Sequence, residues 1–323
     1  MTVASKQSAI AVCAALLWAS PGMADKWDMP TGYPDGNYHT KNDRMFAEDV
    51  KATTGGKIEI AVHSNQILFK MPEVKRAIQN NLVPIGEFFL SAYGNEDPIF
   101  EADSVPFLAS GLANARKLYD AQKPILAKHL EKQGLILLWS APFPGQNLFT
   151  SKPIDDVAGL KGVKFRVQSA MVAKLASAVG ATPVTIQQPE VPQAFATGAV
   201  EMMLTSAALG VETKAWDYST YFYVVDSNLP RVAVVMNRDV FNGLDRKTQD
   251  AITAAAAAAE TRGWDMAQKA SDELVATLQK NGMKITQPSP AFLAELKKVS
   301  QPLTDEWLKR AGTEGETIAK AVR

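Results

Sequence analysis

What this sequence has little of sets the first limits. A single cysteine, Cys13, sits near the N-terminus; a disulfide framework and a multi-cysteine metal site are therefore excluded. Histidine is almost as scarce. His39, His63 and His129 fall on three different predicted elements, with neither HExxH nor paired metal-ligand spacing. No G-x-S-x-G elbow, P-loop or G-x-G-x-x-G follows a predicted strand, which removes the usual signals of hydrolases, NTPases and dinucleotide enzymes. Net charge is also missing, because 34 Lys and Arg balance 34 Asp and Glu. Such a balance gives no footing for nucleic acid or an anionic membrane surface. Nor does any apolar run approach the ~20 residues that a spanning helix needs. The expectation is a protein without catalytic residues, metal or cofactor that does not itself span a membrane.

The N-terminus reads as an address. Lys6 precedes an apolar core from Ala9 to Ala19, and Gly22, Met23 and Ala24 form a small-residue cleavage site before Asp25. These are the parts of a cleavable secretory signal peptide, residues 1–24. Cys13 lies inside the apolar core, a poor position for lipid modification, and cleavage would remove it. Export to an oxidising compartment fits a mature chain with no thiol. The remaining chain is long enough for two lobes of roughly 150 residues each.

The most informative stretch is 159–206. Val163, Phe165 and Val167 alternate with Lys164 and Arg166, the period of a strand. Met171, Leu175 and Val179 then mark one face of a helix that stops at Gly180. Pro189 suits the first turn of a second helix, which Gly198 ends, and the apolar run 199–204 reads as a buried strand emptying into Thr205 and Ser206. Ligands of open α/β sheets bind beyond the carboxyl ends of strands, so Arg166, Thr205 and Ser206 are candidates for one site. A guanidinium there suits a carboxylate, through two parallel hydrogen bonds. Pairing with a local Asp or Glu is the competing role.

The segment PEVKRAIQNNLVPIGEFFLSA (72–92) runs parallel to PEVPQAFATGAVEMMLTSA (189–207): Pro-Glu-Val, helix, turn, apolar strand, Ser-Ala. This suggests two similar lobes facing a shared cleft, although Pro and Glu both favour first turns and can recur by chance. Elsewhere, strands are expected at 26–29, 57–62 and 135–139, with β-like runs at 218–226 and 231–236. Helices are expected at 39–52, 113–133 and 245–280, the last about 50 Å long; 291–299 and 304–309 read as short closing helices. The Pro/Gly cluster at 141–145 is the expected first crossing between lobes.

The stretches GLKGVKFRV, PEVPQAFATGAVE, WDYSTYFYVV and GWDMAQ resemble the solute-binding subunit of tripartite ATP-independent periplasmic (TRAP) transporters, the DctP-type family. The resemblance implies an α/β, two-lobed periplasmic binding protein (Venus-flytrap) fold with mixed sheets in each lobe and a long bridging helix. The lobes would be 25–143 with about 232–265, and 144–231 with about 283–300; the bridging helix would be 245–282 and the closing helices 301–323. It also implies a periplasmic receptor that hands a small organic acid anion to two integral membrane subunits, one small and one large. Arg166 stands where the family's Gly-x-x-x-Arg-Val strand carries its carboxylate anchor. Gln146 and Thr205 stand where the sialic-acid-like branch has a second Arg and an Asn. Around them we expect Glu87, Phe88, Phe143, Gln187, Trp216 and the loop residues Tyr33, Asn37 and Tyr38, with Trp216 as the aromatic placed best to line the cleft. An uncharged, aromatic second half suits a monocarboxylate, whether aromatic or a 2-oxo or 2-hydroxy acid. A C4-dicarboxylate or sugar acid, a secreted enzyme acting on an organic acid, and a sensor domain are the alternatives.

Overall fold

The computed structural model describes residues 24–323; all but the last residue of the expected signal peptide lies outside the described residues. Strand β1 (Asp25–Pro30) buries Trp27 and Met29 by alternation. Helix α1 (Tyr38–Thr53) follows, with Phe46 and Val50 inward, and strand β2 (Ile58–His63) pairs parallel to β1. Helix α2 (Met71–Gln79), with Pro at its start, leads to strand β3 (Ile85–Phe89). Helix α3 (Leu112–Lys132) then runs into strand β4 (Leu135–Pro142).

The chain now crosses. Strand β5 (Asn147–Thr150), strand β6 (Lys164–Val167), helix α4 (Ala170–Ala178), strand β7 (Thr182–Thr185), helix α5 (Val191–Ala196), strand β8 (Met202–Thr205), helix α6 (Ala207–Glu212) and strand β9 (Tyr221–Tyr223) build the second lobe. Strand β10 (Arg231–Asn237) returns to lie between β3 and β4, antiparallel to both. After helix α7 (Arg238–Gly243), helix α8 runs from Arg246 to Lys280. Strand β11 (Lys284–Thr286) joins the second-lobe sheet, and helix α9 (Pro290–Lys320) closes the chain. The second sheet has the order β11-β9-β5-β8-β6-β7 and is mixed, with β6 parallel to β7 and β8 and β5 antiparallel to β8 and β9.

The two crossings are tied to each other by backbone bonds. Phe143 N donates to Pro230 O at 2.8 Å, Gln146 N to Asn228 O at 2.9 Å, and Ser227 N to Gln146 O at 3.0 Å. Across the back lies α8, against α1 and β4 of one lobe and α6 and β11 of the other. Its one internal glycine has a packing reason: a Cβ at Gly263 would stand 2.7 Å from the Ala141 Cβ.

Three expectations are corrected. The closing helices 291–299 and 304–309 are one helix, broken only at Gly312 (φ 58). Phe292, Leu296, Ser300, Leu303 and Trp307 keep one face buried straight through Pro302, and that burial outweighs the proline. The β-like run 218–226 shortens to β9, because the N–H groups of Tyr218 and Ser219 bond back to Ala215 O behind a 3₁₀ turn and Asp226 turns into the left-handed region (φ 44). Residues 182–185, between the two expected helices, form an edge strand whose side chains are mostly exposed, which removed the apolar signal.

Candidate functional site

A cavity of about 90 Å³ lies between the lobes where the strands β3, β6 and β8 end. Arg166 enters it because Phe165 and Val167 are committed to the core on the other face of β6. The guanidinium is held from behind: Nε donates to Ile186 O at 2.9 Å and Nη1 to Gln168 Oε1 at 3.3 Å. It is 3% exposed, and burial pushes its pKa down to about 10, with only the Tyr218 and Tyr33 phenols opposing. Among the described residues no carboxylate neutralises it, so the competing role of a local ion pair is not realised. A buried, unpaired cation is costly unless an anion arrives.

Thr205 and Ser206 line the same cavity, at the end of β8, and Gln146 reaches it from the first crossing, its Nε2 donating to Pro144 O at 3.2 Å. Gln187 lines it as well. Tyr33 and Phe143 supply an aromatic wall, edge to face at 5.1 Å.

Five expected residues stand elsewhere. Phe88 points to the opposite face of β3, into the core against Tyr93, and period-2 alternation brings Phe89 to the cavity in its place. Glu87 shares the Phe89 face but lies deeper, where it accepts a hydrogen bond from the Thr31 hydroxyl and burial pushes its pKa up to about 8. Trp216 belongs to the 3₁₀ turn after α6 and packs on the second-lobe core. Tyr38 donates its hydroxyl to Pro142 O at 2.5 Å. Asn37 caps α1, its Oδ1 accepting from His39 N at 2.7 Å, and reaches the site only through another residue.

That residue is Glu212, which sequence reasoning missed. It ends the short apolar helix α6 and lines the cavity. Oε1 accepts from Asn37 Nδ2 and Oε2 from Gln188 Nε2, both at 2.6 Å. Burial pushes its pKa up to about 7, opposed by those two donors and by Lys41. Asn37 and Glu212 are 175 residues apart in sequence, and no local pattern could have joined them. Gln66, Met71 and Leu209 also line it without having been expected.

The described residues hold no cluster of three or more potential metal ligands, and none of their helices is long and apolar enough to cross a membrane. The arrangement can bind an anion in a partly apolar chamber closed from two sides.

The profile of the bacterial extracellular solute-binding protein family 7, DctP, matches residues 31–310. Among solved structures, DctP7 of Bordetella pertussis, an extracytoplasmic solute receptor binding pyroglutamic acid, is 45% identical, with a TM-score of 0.91 over 93% of this chain and 100% of that one. DctP6 of the same organism, also a receptor binding pyroglutamic acid, is 43% identical with a TM-score of 0.90, covering 93% of this chain and 99% of its own. The C4-dicarboxylate-binding periplasmic protein DctP of Rhodobacter capsulatus is 24% identical over 87% of this chain and 86% of its own. A two-lobed α/β fold, a cleft with an unpaired guanidinium and a family match over most of the chain converge: this protein belongs to the DctP family of TRAP solute-binding receptors.

Proposed function

We propose that the receptor captures a small monocarboxylate of pyroglutamate's class through an Arg166–carboxylate pair and delivers it, in the periplasm, to the small and large membrane subunits of a TRAP transporter. The observation that carries this reading is the buried guanidinium with no carboxylate of its own. A ligand anion would repay its desolvation, and closing the lobes would strengthen the pair by expelling water.

Size and charge support the ligand class. The cavity, about 90 Å³ and enclosed between the lobes, suits a small acid such as pyroglutamate. Among the described residues lining the cavity Arg166 is the one cation and Glu212 the one acid, which disfavours a second ligand carboxylate. The reading extends to this chain what is bound by the receptor 45% identical to it.

Titration calorimetry with pyroglutamate and succinate tests the proposal. Pyroglutamate is expected to bind more tightly, and Arg166→Ala to lose at least about tenfold in affinity while melting cooperatively, since truncating a buried charge pair costs ~2–5 kcal/mol. Tighter succinate binding would reverse the ligand assignment, and an unaffected Arg166→Ala would remove the anchor. Recovering the bound acid unchanged after long incubation is the expected outcome for a receptor; turnover would favour an enzyme.

A further inference from the structure

Glu212 and Arg166 line one cavity without pairing to each other: neither is among the charged neighbours that act on the other. Both face the space that a bound acid would occupy. The plane of the Glu212 carboxylate is fixed by one amide donor on each oxygen, Asn37 Nδ2 from the first lobe and Gln188 Nε2 from the second. Neither amide is free to turn its oxygen inward. Asn37 Oδ1 is already committed to the His39 N–H, and of the two ends of the Gln188 amide only the N–H can donate to an ionised carboxylate. Each carboxylate oxygen keeps a second lone pair, so the group has acceptor capacity left for the ligand.

We propose that Glu212 selects the ligand's other end: it accepts a hydrogen bond from an N–H or O–H donor of the acid held by Arg166, and it rejects an acid with a second carboxylate. The site then reads one anion and one donor, as a lactam acid presents them. This deepens the reading of Arg166 as anchor and rests on it. Recognition of a donor by a buried acceptor discriminates strongly, because an analogue without the donor leaves the acceptor dehydrated and unpaired. Rejection of dicarboxylates adds a repulsive element to the attractive one.

The test compares three acids of similar size by calorimetry at pH 8, where Glu212 is mainly ionised: pyroglutamate, its ring-oxygen analogue 5-oxotetrahydrofuran-2-carboxylate, and glutarate. The receptor as it stands should favour the lactam over the lactone, and over glutarate, by at least about tenfold. In Glu212→Gln, which can donate as well as accept, the lactam-to-lactone ratio should fall to within about threefold and glutarate should gain about tenfold. A near-unity ratio in the unmodified receptor overturns the proposal even if the variant fails to fold. So does a folded Glu212→Gln that keeps the full ratio, and in that case the Arg166 reading survives. Failure of the unmodified receptor to bind any of the three overturns both.

Discussion

At the scale of single residues, the burial of acids in the site and beyond it sets the dependence of stability on pH. Glu87, Glu212 and Asp103 are all buried acids whose pKa values rise, to about 8, about 7 and about 6. In each the first cause is burial. A raised folded-state pKa means that the native chain binds more protons than the unfolded one between the two values. Stability from these groups is complete below the unfolded value, near 4, and is lost as pH rises through 6 to 8. Urea unfolding between pH 5 and 8.5 should therefore give a falling stability, and Glu87→Gln should flatten the upper part of that slope. Arg166 was legible at this scale because it stands near the carboxyl end of a strand whose apolar residues claim the opposite face. Glu212 was not, since one acid at the end of AALGVE looks like any solvated helix terminus.

At the scale of elements, propensity and packing disagree in two places. Gly263 interrupts a 35-residue helix in which alanine would be favoured by about 1 kcal/mol on propensity alone. Its missing Cβ is what lets α8 approach Ala141 and donate the Trp264 indole N–H to Ser140 O at 3.0 Å. We expect Gly263→Ala to destabilise by about 1–3 kcal/mol, an overpacking cost that a thermal melt would read as a lowered Tm; a raised Tm would mean that propensity decides. Pro302 misled in the opposite sense. Read locally it ends a helix, but the buried stripe ending at Trp307, whose Nε1 donates to Pro98 O at 2.7 Å, carries α9 through it.

For the whole molecule, the question is what holds two lobes at a working separation. Besides the paired crossings and α8, the Asn37–Glu212 bond ties the α1 cap to α6 directly across the cleft. A hydrogen bond to a charged group contributes about 1.5–3 kcal/mol. Asn37→Ala should shift the lobes toward an open arrangement, seen as a larger radius of gyration in small-angle scattering and a several-fold weaker affinity for pyroglutamate. An unchanged scattering profile in ligand-free and saturated samples would mean that this bond does not govern closure. The sequence by itself determined the strand and helix periods, the paired helix-strand units, the long brace and the place of Arg166 on β6, because each is written in neighbouring residues. Tertiary structure alone decided which face of β3 meets the cleft, that α9 continues through Pro302, and that Glu212 joins Arg166 in one chamber. Those outcomes depend on contacts between residues far apart in the chain, where burial rather than local preference sets the free energy.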